Sequence, residues 1–157
     1  MTPARERLDL HLVRFNAMGC PCALQLEGEA DAIARAAAAA QSEVARLDAK
    51  YSHYRDDSLV ARIGAVADAG ASIDVDDETA DLLDFAATLH AQSAGRFDIT
   101  ASALTKLWDL QSGRVPGGDA IDRARARVGW DRVGWRRPTL TPNVPGLRLD
   151  LGGVVKE

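Results

Sequence analysis

Cysteine is nearly missing from this chain: Cys20 and Cys22 are the only two, in the run Gly19-Cys20-Pro21-Cys22. One intervening residue is a poor basis for a disulfide framework, and no second Cys or His pair stands at a suitable distance for a zinc site. The pair reads first as small packed side chains beside a turn. A basic excess is missing as well. With a net charge of −4 and a pI near 5.4, the chain lacks the positive surface that displaces counterions from nucleic acid or an anionic membrane, so neither is expected as a partner. No apolar run approaches the roughly 18 residues of a membrane span. The opening stretch MTPARERLDLHLVRFNAMG is charged through its first nine residues, with no apolar core of signal-peptide length and no lipid-attachment box, so a cytoplasmic location is expected. A Gly-x-Ser-x-Gly elbow, a Walker phosphate loop and a dinucleotide fingerprint are absent too. His11, His53 and His90 do not form a metal-ligand spacing.

What is present is ordinary globular material. The 157 residues are 46% hydrophobic and 27% charged, enough for one domain with a real core. Alternation over residues 10–16 and 22–27, with the turn AMGCP between them, predicts an antiparallel pair. Ile33, Ala37, Ala40, Val44 and Leu47 recur at helical spacing and predict a long amphipathic helix. A polar segment, YSHYRDDS, interrupts before a helical piece at LVARIGAV and a small strand at SIDV. Asp76 is placed to cap a helix whose apolar face is read as Leu82, Leu83, Phe85, Ala86 and Leu89, with Gly95 as its C′ residue. RFDIT reads as a strand, ASALTKLWDL and DAIDRARARVG as helices, and strand candidates flank TPNVPG. The alternation of Arg148-Leu149-Asp150-Leu151 is the second of these; Gly152-Gly153 then frees the backbone and Val154 onward begins a helix. Strands and helices mix without strict alternation, which predicts α+β rather than a doubly wound sheet.

Four polar or glycine-bearing corners fall where predicted elements end, and such corners carry ligand contacts in many scaffolds. They are Met18-Gly19, S-x-Y-R-x-D-S over 52–58, S-x-G-x-F-D-I-T over 93–100 with LxxLW over 104–108, and LDLGGVVK over 149–156. In this order and spacing they resemble the ApbE family of bacterial FAD:protein FMN transferases. The resemblance covers nearly the whole chain from about residue 11, and implies a T-fold-like α+β architecture. In that family the last of these motifs lies near the middle of the protein, so residues 1–157 are expected to be the N-terminal portion of a single such domain, with a C-terminal half missing.

The resemblance further implies FAD as substrate, Mg2+ at the pyrophosphate, and a flavin-accepting target protein as partner, with FMN passing to a Thr or Ser hydroxyl and AMP released. By position, Met18 and Tyr54 would pack on the isoalloxazine ring. Arg96, Phe97 and Asp98 would lie along the nucleotide, Asp150 and Lys156 would contact FAD, and the Gly153 carbonyl would face the metal. No catalytic side chain is assigned. Read without the family, Tyr54 is an ordinary core or surface aromatic, and Asp98 equally a residue that satisfies local amides. Two departures from the pattern stand out: Cys20 replaces the commoner Thr after Met18-Gly19, and Glu157 takes a position that is often Gly. The family's downstream Asp and Thr metal ligands have no counterpart in the sequence. An FAD-binding module, or an inactive fragment lacking those ligands, is therefore the alternative.

Overall fold

The computed structural model describes residues 10–108, 113 and 115–156. The chain divides into two compact units, residues 1–49 and 50–157.

In the first unit, β1 (Leu10–Ala17) and β2 (Cys20–Glu27) pair antiparallel with Ala17 opposite Cys20. That register leaves Met18 and Gly19 as a two-residue loop, with φ of 50° and 72°. Positive φ at both positions is the type I′ hairpin turn, whose twist matches its strands. The predicted alternation holds: Val13, Phe15 and Ala17 of β1 and Cys22, Leu24 and Leu26 of β2 are half-buried, and the residues between them are exposed. Helix α1 (Ala30–Tyr51) follows, with Ile33 and Ala37 buried and Ala40, Val44 and Leu47 half-buried, the stripe its spacing predicts.

The second unit begins with the last two residues of α1. The Tyr51 hydroxyl is 3.0 Å from the Thr79 hydroxyl, and Lys50 reaches Asp76 at 2.8 Å and Glu78 at 2.6 Å. Ser58 caps α2 (Leu59–Asp68) by accepting the Ala61 N–H at 3.0 Å, and Val60, Ile63 and Ala67 enter the core. Asp76 caps α3 (Asp77–Gln92) as predicted, accepting the Thr79 N–H at 2.9 Å. The buried face of α3 is Thr79, Ala80, Leu83 and Ala86; Phe85, assigned to that face from sequence, is exposed because it lies outside the 3–4-residue spacing they set.

A three-stranded antiparallel sheet runs β3–β5–β4, from β3 (Ile73–Asp74), β4 (Val133–Arg136) and β5 (Thr139–Pro142). Leu140 of β5 faces Ile73 on one side and Trp135 on the other and is fully buried. Arg137, in the turn between β4 and β5, ties this sheet to α3 by reaching Asp77, Asp81 and Asp84 at 3.1, 2.6 and 3.3 Å. Short helices α4 (Ser102–Thr105), α5 (Gly118–Arg125) and α6 (Gly152–Val155), with a single 3-10 turn at Trp130–Arg132, complete the described elements.

Two strand expectations fail. RFDIT forms turns and bends after α3, and residues 148–151 pair with no strand. Leu147, Leu149 and Leu151 are all fully buried, so the alternation reports burial truthfully. Their backbone neighbours are loop groups, however: the Asp150 N–H donates to the Ile99 carbonyl at 2.7 Å, and the Ser102 hydroxyl to the Arg148 carbonyl at 3.1 Å. A side-chain period of two needs only one buried face, whereas a ladder needs an extended neighbour. The helix read over 101–110 is confined to α4 among the described residues; Asp109, Leu110 and Glu157 lie outside them.

Candidate functional site

Three of the four corners meet in the second unit. The first strands of contact come from residues 52–58. Ser52 Oγ accepts the Tyr54 N–H at 3.3 Å, and Arg55 forks onto Asp57 at 2.9 and 2.7 Å, which holds the Asp57 carboxyl below its ordinary range. Tyr54 rests against His53, ring centroids 3.9 Å apart and planes inclined by 41°, and is 85% exposed. His53 Nδ1 stands 3.8 Å from Asp150 Oδ1, too long for a hydrogen bond but within ion-pair range when the imidazole is protonated.

Asp150 is held from the other side. Buried Leu149 and Leu151 anchor the backbone around it, and its Oδ1 accepts the Gly152 N–H at 2.9 Å. A β-carbon at residue 152 would stand 3.0 Å from that oxygen, so glycine is what allows the carboxylate to fold back over the start of α6. Gly153 follows, exposed, against the edge of Phe97; Lys156 is exposed at the C-terminal end of α6.

Phe97 is positioned by the end of α3. Gly95 N–H donates to the His90 carbonyl at 2.9 Å and Ala94 N–H to the Ala91 carbonyl at 3.2 Å, the two bonds of a Schellman motif. The left-handed C′ position is thus Ala94, φ 53°, and the expected Gly95 comes one residue later at φ 76°. Ser93 Oγ then accepts the Phe97 N–H at 2.9 Å. Arg96 is exposed.

Asp98 differs in kind. Its Oδ1 accepts the Thr100 N–H and hydroxyl at 2.7 and 2.6 Å, and its Oδ2 the Trp130 N–H at 3.0 Å, with the side chain only 9% exposed. Thr100 Oγ1 in turn accepts the Gly129 N–H at 2.7 Å. This carboxylate pins residues 98–100 to 129–130, which is the local-amide role the sequence left open. Met18 lies in the first unit, at the hairpin corner, in a conformation unusual for a residue with a side chain.

Sequence reasoning missed His53 and Ser93, the side chains that seat Tyr54 and Phe97. Both lie inside the corner motifs, and neither betrays by residue type which backbone or ring it will meet. Among the described residues no three His, Cys, Asp or Glu side chains gather as a metal site. A cleft of about 440 Å³ opens elsewhere in the second unit, and no residue assigned to FAD or metal from sequence lines it.

The fold and its clustered corners define an α+β protein with an aromatic face, a glycine turn and a carboxylate gathered at one place. The chain belongs to the ApbE family, whose model matches residues 18–157. It is 32% identical over 116 residues to an FAD:protein FMN transferase of Chlamydia pneumoniae, covering 71% of this chain and 36% of that protein. Its structure is similar to the apo form of the Pseudomonas stutzeri flavinyl transferase ApbE, with TM-score 0.78 and 27% identity over 94% of this chain and 48% of that one. The ApbE protein of Thermotoga maritima shares the fold at TM-score 0.83, with 24% identity over 94% of this chain and 49% of that one. The chain therefore spans about half the length of these solved relatives and a little over a third of the curated one.

Proposed function

We propose that residues 1–157 are the N-terminal, flavin-binding portion of an FAD:protein FMN transferase domain, acting in the cytoplasm on a flavin-accepting protein. The observation that carries this is the chain of contacts from Tyr54 through His53 and Asp150 to Gly152, and from the adjacent Gly153 to Phe97. Three segments distant in sequence, each selected by its likeness to a family motif, converge there.

The residues present fit a flavin nucleotide. Tyr54 offers an aromatic face suited to a flat, polarizable heterocycle, and Phe97 adds a second apolar surface. Met18 is assigned to the same ring on family position and a soft thioether. Asp150 suits a ligand N–H or hydroxyl donor, and Lys156 and Arg96 are exposed cations suited to phosphate. Asp98 serves FAD indirectly, by fixing the loop that carries Phe97.

In the reaction, a Thr or Ser hydroxyl oxygen of the target forms a bond to the FMN-side phosphorus of FAD. The bond from that phosphorus to the bridging oxygen breaks, AMP leaves with the electron pair, and the hydroxyl proton passes to solvent. This chain's residues bind and orient the FMN half. The fit to Mg2+ is poor: Gly153 contributes one neutral carbonyl at most, and a hard cation requires several oxygen ligands. That mismatch favours a second reading, an FAD-binding module without transfer.

Flavin fluorescence titration of the 157-residue chain, followed by a covalent-flavin assay on a threonine-bearing acceptor with Mg2+, separates the two. Binding with labelling supports the transferase and binding alone the module. Absence of saturable FAD binding overturns both.

A further inference from the structure

We propose that the 440 Å³ cleft in the second unit is a binding site for a phosphate-bearing small molecule, separate from the corner cluster. Its walls come from α4 and the residues just after it, from α5, and from the segment at residues 146–148. The volume lies within the range of ordinary ligand pockets, roughly 300–1,000 Å³.

The charge is the anomaly. A chain of net charge −4 places Lys106, Arg123, Arg127 and Arg148 around one concavity. Only Arg148 has a carboxylate within ion-pair distance among the described residues, Asp68 at 2.6 Å. That pairing holds the Asp68 carboxyl below its usual range, and Arg127 adds to the effect through space. Arg123 lies in the last turn of α5 and Arg127 two residues beyond its end, where its backbone N–H donates to the Ala124 carbonyl at 3.0 Å. Arg123 suits the C-terminal end of α5 and Arg127 feels Asp68 through space, yet neither has a carboxylate within ion-pair distance among the described residues, and an anion between them would supply the missing counter-charge.

The cleft is also pre-shaped. Arg148 is fixed by Asp68 and by the carbonyls of Gly64 and Leu147 at 3.2 and 2.9 Å. A β-carbon at Gly64 would stand 3.0 Å from Arg148 Cδ, and one at Gly146 would stand 3.3 Å from Arg127 Cδ, so two glycines let the arginine stems lie close against backbone. The Arg148 fork is already engaged by Asp68 at 3.1 and 2.6 Å and shapes the wall, so the guanidinium groups of Arg123 and Arg127 are the ones that match the oxygens of a phosphate or diphosphate. Ala103, Leu107, Ala120 and Ala124 supply an apolar lining on which a nucleoside or similar flat group can rest.

The test is calorimetric titration of the 157-residue chain with pyrophosphate and with ADP, each in saturating FAD so that the corner cluster is blocked. Saturable binding is expected, weakened at least about tenfold by Arg127→Glu and by Arg123→Glu, with a shallower salt dependence in each. Arg127→Ala and Lys106→Met, milder changes checked by thermal melts, should weaken it in the same direction. Arg35→Glu on α1 should leave it unchanged. Tighter binding of ADP than pyrophosphate identifies a nucleotide ligand, and equal binding a phosphate group alone. Absence of saturable binding, or binding indifferent to Arg123 and Arg127, overturns the proposal. Retained pyrophosphate binding in a chain that fails to bind FAD would reject the flavin reading and leave this one standing.

Discussion

Phe97 closes directly on Gly153: a β-carbon at residue 153 would stand 3.3 Å from Phe97 Cε2, tighter than ordinary van der Waals contact. Gly153→Ala should therefore displace the ring and weaken FAD binding several-fold, with little change in melting temperature because residue 153 is exposed. Phe97→Leu should restore part of the loss, a coupling of about 0.5–1 kcal/mol in a double-mutant cycle. Strictly additive effects would mean that the contact does not shape the site.

The two tyrosines should separate cleanly. Tyr54→Ala removes an exposed ring and is expected to weaken FAD binding by about 0.5–1.5 kcal/mol, with the melting temperature unchanged. Tyr51 is buried, its hydroxyl 3.0 Å from that of Thr79. Tyr51→Phe should cost about 1 kcal/mol of stability and leave FAD affinity alone. Flavin fluorescence and urea denaturation of both variants supply the comparison, and a reversed pattern would reject the assignment of Tyr54.

Asp98→Ala strips the acceptor from the Thr100 and Trp130 amides in a nearly enclosed site. A loss of about 3 kcal/mol in urea denaturation is expected, since charged acceptors contribute more than neutral ones and their orphaned donors remain. A loss of FAD affinity at full stability would instead place Asp98 against the ligand.

Backbone strain distinguishes Ala94 from Met18. Ala94→Gly should stabilise the protein by about 0.5–1 kcal/mol, because its φ of 53° suits glycine. Met18→Gly relieves the same kind of strain at φ 50° and should weaken flavin binding, as expected where a strained conformation is retained for a site. Unchanged affinity in Met18→Gly would remove Met18 from the flavin contacts.

Acid sensitivity follows from the cap of α3. Burial works against the charge of Asp76, but the hydrogen bonds from Lys50 and Thr79 outweigh it and hold the carboxyl below its ordinary value of 3.8. Its contribution to stability is complete above that value and disappears as pH falls through the lower folded-state pKa. Melting temperature should accordingly drop between about pH 5 and pH 2, and drop less steeply in Lys50→Met. Equal slopes would show that the pair does not drive acid unfolding.

Much of this was legible from residue order. Period-two alternation located β1 and β2, the 3.6-residue stripe located α1, and Asp76 announced the start of α3, because each signal is written within a few residues of chain. The motifs also marked the corners. The sequence could not determine which residues answer one another across the fold. Arg148-Leu149-Asp150-Leu151 alternates whether its neighbour is a strand or a loop, and packing against residues 97–102 decided for the loop. Asp98 carries the same carboxylate whether it meets a ligand or the amides of Thr100 and Trp130. His53 acquires its place only when Asp150, far along the chain, is brought to 3.8 Å. The sequence by itself determined local periodicity, the N-cap of α3 and the family. Tertiary structure alone decided partners, because hydrogen bonds and ring contacts depend on distance in space, which no local pattern encodes.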